Sequence, residues 1–174
     1  MVLTSNVIDN EILTDTGTTL PSTLSSLSSS VSGQMVPSRV VRTPSVLPAS
    51  TQTPYFTVTG KVLITQIVGE VTTVFDGTVN SLKLIANPTV GADVDLCTAL
   101  VVTSDAAGTM YSLTGTFANA MIASTSGAFE AQANPIVVAA GSIDLDATAT
   151  DATGATKWTL LYIPLESGAG ITAA

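Results

Sequence analysis

The sequence predicts an all-β protein, an antiparallel β-sandwich of the jelly-roll kind, preceded by an extended N-terminal arm with a short helix. From Tyr55 onward, short runs of β-branched and aromatic residues are separated by Gly, Asn, Asp and Pro. The separators include turn sequences such as FDGT, NPTVGAD, SDAAGT and TDATGAT. After residue 54 no stretch has a convincing helical period. Many short strands at this spacing are typical of two packed antiparallel sheets.

The runs predict nine strands, at 55–59, 61–68, 70–75, 79–86, 95–103, 109–115, 128–138, 142–150 and 156–163. The two leucines of SLKLIAN (81–87) share one face of a strand. In SIDLDATA, Ile143 and Leu145 face opposite to Asp144 and Asp146. We expect each of these strands to have one buried and one solvated face. The stretch TFANAMIAS is compatible with a short helix or with a loop that crosses one end.

The chain is predicted to divide after residue 54, into an arm (1–54) and a β-sandwich domain (55–174). Within the arm, a serine-rich stretch spaces Leu20, Leu24, Leu27 and Val31 by four, three and four residues. This is the spacing of a coiled-coil seam, and it predicts a short helix over about residues 20–32. Two heptads are too short to be stable alone, so we expect the seam to close a bundle of three copies.

Residues 36–54 are predicted to run extended and in part polyproline-like, because four prolines interrupt them. The stretch is more apolar than solvated linkers usually are, although a disordered linker is the alternative. We expect it to lie on a neighbouring subunit or a partner protein. The residues expected to dock are Arg39, Val40, Val41, Arg42, Val46 and Leu47. At least one of the two arginines would pair with acidic groups of the partner, or both are ordinary surface charges.

Composition and charge argue against several classes of function. Of the 174 residues 45% are hydrophobic and only 10% charged, with a net charge of −8. Five basic residues spread over the whole length do not form the positive stripe that nucleic acid requires. The start of the chain does not resemble a signal peptide, and no segment has the roughly 20 apolar residues of a membrane span. We expect a protein made in the cytoplasm, with neither nucleic acid nor membrane as partner.

No catalytic constellation can be assembled from the sequence. Histidine is absent, which removes the usual general base and the commonest zinc ligand. The single cysteine, Cys97, lies in the apolar run LCTALVV and is predicted to be buried. Trp158 lies on a strongly apolar strand, which favours core packing over a role as a sugar platform. The sequence therefore predicts a protein that is not an enzyme and holds no cofactor.

Two pairs of aspartates are the remaining candidates for a ligand site. Asp93 and Asp95, and Asp144 and Asp146, are each two residues apart, so on a strand each pair projects from one face. Such oxygens suit calcium, but the loop formula that makes a calcium motif specific is missing. The pattern favours a solvated acidic strand face and no metal.

Four segments resemble parts of small structural proteins of tailed bacteriophages. They are VLITQIVGEVTT, LKLIANPTVGADVDLC, QANPIVVAAGSIDLDA and KWTLLYIPLESGA, and the resemblance covers roughly residues 55–170. It implies a virion component with a β-sandwich body, and we expect a head decoration or cement protein that binds the major capsid protein. Together with the seam, it leads us to expect a homotrimer in the virion.

Two other classes of function stay open at this point. A tail, neck or head fibre subunit would use the same arm as an anchor and the sandwich as a receptor-binding knob. A free carbohydrate-binding module needs an exposed aromatic platform or a calcium site, and the scarcity of aromatic residues argues against it.

Overall fold

The computed structural model describes residues 7–8, 11–12, 37–48, 51–78, 80–151 and 153–174. The chain divides into two compact units, Met1–Val36 and Pro37–Ala174. In the first unit, strands β1 (Val7–Ile8) and β2 (Glu11–Ile12) pair in antiparallel orientation. The predicted helix over 20–32 and its seam residues, Leu20, Leu24, Leu27 and Val31, lie outside the described residues.

The described part of the second unit consists of strands and connecting turns, without a helix, and this confirms the prediction of an all-β body. The strands are β3 Ser38–Val46, β4 Gln52–Thr59, β5 Val62–Thr73, β6 Ser81–Pro88, β7 Val94–Asp95, β8 Leu100–Val101, β9 Met110–Ser112, β10 Ile122–Ser124, β11 Ile136–Val138, β12 Gly141–Ala147, β13 Ala155–Pro164 and β14 Gly170–Ala173.

These strands form two antiparallel sheets. The first sheet has the order β10, β9, β5, β13, β3, and β11 pairs with the beginning of β5. The second has the order β14, β4, β12, β6, β7, and β8 pairs with the beginning of β6. Along the chain β3 to β6 alternate between the two sheets, and so do β12 to β14, whereas β6 and β12 are neighbours in the second sheet.

Both sheets contribute side chains to one hydrophobic core. The inward residues are those of the predicted alternation, with the leucines of β6 and Ile143 and Leu145 of β12 fully buried. β5 adds Ile64 and Ile67 from the first sheet. Burying one such side chain stabilises the fold by about 1.5–3 kcal/mol, so this cluster is the main favourable term in the folding of the body.

The largest core side chain, Trp158, is accommodated by a glycine on the neighbouring strand. Gly69 of β5 lies opposite Trp158 of β13 on one side and opposite Tyr111 of β9 on the other. The two rings stack with their centroids 6.4 Å apart. The indole nitrogen is satisfied as well, because it donates a 3.0 Å hydrogen bond to Thr156 Oγ1. Trp158 is therefore a core residue, as predicted.

Buried polar side chains connect the turn between β5 and β6 with the turn between β12 and β13. Asp151 Oδ1 accepts hydrogen bonds from the backbone N–H groups of Thr153 and Gly154, and its Oδ2 accepts one from Asp76. Asn80 donates to the Ala149 carbonyl at 2.9 Å and accepts from the Ala149 N–H at 3.1 Å. Because each of these buried groups is paired, they hold the turns without an unpaired-polar penalty.

The compact unit begins at Pro37 and not at Tyr55, so residues 37–54 of the expected arm belong to the β domain. Residues 38–46 are the edge strand β3, paired along β13, and Leu47 is 5% exposed in the core. Pro44, the proline within β3, is compatible with this position. Proline is tolerated at a sheet edge, where the N–H that it lacks is not needed for pairing.

Other boundaries differ from the prediction as well. The two strands expected at 61–68 and 70–75 are one strand, β5, and the strand expected at 95–103 is interrupted, with the end of β7 and the short β8 as its strand residues. Strand β14 was not predicted, and TFANAMIAS is a turn that leads into β10. Each of these short segments is decided by its pairing partner across the sheet, and the sequence around it does not contain that information.

We predict that a chain of residues 37–174 unfolds cooperatively, whereas a chain that begins at Gln52 is much less stable. The shorter chain loses β3 and the buried Leu47, and it exposes the edge of β13. The expected loss is at least about 3 kcal/mol of the free energy of unfolding. Urea denaturation measures it, and equal stability of the two chains would place β3 outside the domain.

We predict that Gly69→Ala destabilises the protein by about 1–3 kcal/mol through overpacking. A Cβ atom at this position would lie 2.8–2.9 Å from three ring atoms of Trp158. Gly77→Ala is the matched control, because a Cβ atom there meets nothing within 4 Å. Thermal unfolding compares the two variants. A Gly69→Ala protein that melts with the wild type would show that the ring has room to move.

We predict that Tyr111 makes stability fall at alkaline pH. Burial, and then the hydrogen bond that its hydroxyl donates to Asp105 Oδ2 at 2.6 Å, raise the pKa of Tyr111 well above its usual value. The contribution of Tyr111 to the free energy of unfolding is complete below about pH 10. Above about pH 10 the tyrosine of the unfolded chain loses its proton before that of the folded chain, so the free energy of unfolding falls by up to about 1.4 kcal/mol per pH unit. Tyr111→Phe should reduce this slope in urea titrations between about pH 10 and 11.5. An unchanged slope would contradict the assignment.

Candidate interaction surface

An apolar cavity of about 280 Å³ opens between the two sheets at one edge. β6 and β7 of the second sheet form one wall, and β11 of the first sheet forms the other. Its lining includes Pro88, Val94, Leu96, Phe117, Val137 and Val138. The side chains in the lining are all apolar, so the cavity suits an apolar group better than a charged one.

Four large apolar side chains surround this cavity and are exposed; we call them the apolar rim. Val90 is 88% exposed, Val137 61%, and Val94 and Phe117 44% each. Single exposed apolar residues are ordinary on protein surfaces, but a group of them around one concave site is typical of a surface that binds another molecule.

A second cavity, of about 230 Å³, adjoins the first and has polar as well as apolar side chains in its lining. It shares Val90 and Ala139 with the first cavity and adds Lys61, Thr89 and Glu166. Glu166 Oε1 accepts a 2.9 Å hydrogen bond from the backbone N–H of Lys61, which joins the turn after β4 to the turn after β13. The apolar rim therefore has a polar border, which is the usual anatomy of a protein interface.

The apolar rim continues onto the outer face of the first sheet. Val137 lies opposite Leu63 of β5, which in turn lies opposite Ile163 of β13. In the adjoining rows Leu161, Val68 and Val41 of β3 are likewise only partly buried. The same rows contain the polar residues Thr159, Gln66 and Arg39, so this outer face is of mixed composition.

Some of the residues expected to dock on a neighbour are buried in the protein's own body, and others are exposed. Leu47 is part of the core and Val40 packs against it, so these two are covered by the protein's own body. Val41 is half-buried, Arg39 is exposed and Val46 is 58% exposed. A contact with a neighbouring molecule stays a prediction for these three.

Arg42 contacts the protein's own body. Its guanidinium carbon lies 4.0 Å from the centre of the Tyr55 ring, and Nη1 donates a hydrogen bond to the backbone oxygen of Ala174. Cation–π contacts of this kind contribute about 0.5–2 kcal/mol. Arg42 thereby joins β3 of one sheet to the end of β14 of the other.

The four aspartates do not form a uniformly solvated face. Lys83 Nζ lies 2.9 Å from Asp95 and 3.9 Å from Asp146, so both carboxylates form a partially exposed ion pair with the same lysine. Asp144 is only 1% exposed, against the expectation that it faces solvent. The reason is tertiary, since Gln52 of β4 and Asn87 of β6 cover it from both neighbouring strands.

The described residues contain no cluster of three or more His, Cys, Asp or Glu side chains placed to hold a metal ion. Cys97 is buried, as predicted, and burial raises the pKa of its thiol. Such a thiol is a poor nucleophile at neutral pH. The same residues include no helix long and apolar enough to cross a membrane.

Sequence reasoning missed the apolar rim because its members come from a turn, a loop and two short strands. One signal was present. In NPTVGAD, a valine stands inside a turn between Pro88 and Gly91, where a polar residue is the usual choice. Nothing local to Phe117 or Val137 indicates that the three lie around one cavity.

Comparison of the chain with protein-family models, with curated proteins and with solved structures finds no match in any of the three.

Proposed function

We propose that this protein is a non-enzymatic structural protein of a virus particle, a decoration or cement protein that stabilises the head of a tailed phage. The proposal rests on the resemblance of four segments to phage structural proteins and on the surface of the β domain. In this proposal the two sheets are the layers of a β-sandwich of the jelly-roll kind. Support for that arrangement comes from the alternation of β3 to β6 and of β12 to β14 between the sheets, and from the core that the two sheets share.

The observation that carries the proposal is the apolar rim around an apolar cavity. A cement protein needs a surface that shell subunits can cover, and fully desolvated apolar anchors supply most of the binding energy of such contacts. The scarcity of charge supports the same role, since 10% charged residues leave wide areas without a desolvation cost. The partner in this proposal is the major capsid protein.

The residues before Pro37 have a separate role in the proposal. The spacing of Leu20, Leu24, Leu27 and Val31 supports a short bundle that joins three copies of the chain. The arm proposed to dock is accordingly shorter than residues 1–54, because β3 and β4 belong to the body. A fibre subunit would combine the same parts differently, with the seam as anchor and the apolar rim as the receptor-binding site.

We predict that Val90→Asp combined with Val137→Asp weakens binding to particles that lack the protein by at least about thirty-fold. Both side chains are exposed, so the substitutions leave the core intact, but they place two carboxylates on the surface that must be desolvated. Co-sedimentation of purified protein with such particles measures the affinity.

Val101→Asp is the matched control. Val101 is 63% exposed, as the rim valines are, but it does not line the cavity. It should bind particles as the wild type does. Undiminished binding of the double variant would overturn the proposed surface. Binding to host cells in place of heads would support the fibre alternative.

A further inference from the structure

Asp144 is a buried carboxylate with one oxygen that accepts no hydrogen bond. It follows a β-bulge between Ile143 and Asp144, where β12 changes its register with β4. The residue opposite it on β4 is Pro54, which has no N–H to donate. Asp144 Oδ1 is cut off from solvent and is unpaired among the described residues. A buried carboxylate oxygen without a partner costs free energy of folding, so a ligand that pairs with it would stabilise the protein.

The other oxygen of Asp144 lies at the centre of a small polar cluster. Asp144 Oδ2 accepts hydrogen bonds from Gln52 Nε2 at 2.8 Å and from Asn87 Nδ2 at 3.1 Å. Gln52 Nε2 also lies 3.3 Å from Asp93 Oδ2. One amide group therefore bridges two carboxylates that come from β12 and from the loop between β6 and β7.

The charge of this cluster is not balanced by the described residues. Lys83 is the cation on this face, and it lies on Asp95 and Asp146. Neither Asp93 nor Asp144 takes part in an ion pair within the described part of the chain. Two carboxylates held together by a neutral amide form an electrostatic arrangement that attracts a cation.

We infer that Asp93, Asp144, Asn87 and Gln52 form a binding site for a calcium ion. Rotation of each amide by half a turn about its terminal C–C bond exchanges its nitrogen for its oxygen. The same four side chains then present carboxylate and amide oxygens alone, the ligands that calcium takes, and water completes the shell on the exposed side of Asp93. Calcium fits better than magnesium, because it accepts irregular oxygen geometry and a bidentate carboxylate.

Binding would connect the loop between β6 and β7 to the face of the second sheet. Asp93 belongs to this loop, whose neighbouring residues Val90 and Val94 form part of the apolar rim. The ion would thus hold one wall of the rim in place. The site itself does not depend on the proposed function, because it is tested on the isolated protein without any particle.

The experiment is thermal unfolding of the full chain with CaCl₂ added after treatment with a chelator. For a dissociation constant of about 1 mM, we expect about 10 mM CaCl₂ to raise the melting temperature by about 3–6 °C. Asp144→Asn and Asp93→Asn should each abolish the rise. Asp93 is exposed, so its variant keeps the test usable where Asp144→Asn fails to fold. Calorimetric titration with CaCl₂ measures the binding directly.

Asp146→Asn is the matched control, since Asp146 lies two residues away on the same strand but pairs with Lys83. It should keep the full calcium-dependent rise. A wild-type protein without such a rise would overturn the site, as would an equal rise in Asp93→Asn. An equal rise with MgCl₂ would overturn the choice of calcium.

Discussion

The contact between Trp158 and Gly69 is the constraint on which the first sheet depends. A fully buried indole needs a neighbour without a side chain, a partner for its N–H and a surface to stack on. Gly69, Thr156 and Tyr111 supply these in turn. Tyr111 then carries the constraint further, because its hydroxyl must reach Asp105 in the loop after β8. Since β5 and β13 form the centre of the sheet, the positions of β9, β11 and β3 follow from this pair.

The two kinds of surface on the body have different physical origins. Where the turns after β5 and β12 meet, carboxylate and amide groups are buried but paired with backbone, which closes the structure. At the edge formed by β6, β7 and β11, apolar side chains surround an open cavity. Removing apolar surface from water is favourable by about 25 cal/mol per Å². The apolar edge therefore gains free energy when a partner covers it, whereas the paired polar turns do not. This contrast locates the proposed contact with the shell.

The burial of Asp144 is unusual in a protein with so few charged residues. Only 10% of the residues are charged, yet the carboxylate of Asp144 on the second sheet is almost completely buried. Two amides pair with one of its oxygens and leave the other unpaired. Asp144 lies at an irregular point of the sheet, directly after a bulge in β12 and opposite Pro54 of β4.

The sequence by itself determined the all-β class, the buried faces of β6 and β12, and the burial of Trp158 and Cys97, because side-chain alternation and apolar runs are local properties. Only the tertiary structure decided that β3 joins the sheet and that Asp144 is covered. It also decided that Val90, Phe117 and Val137 surround one cavity. Each of these depends on which strands become neighbours across a sheet or between sheets. Such neighbours come from distant parts of the chain, so no local pattern records the contact.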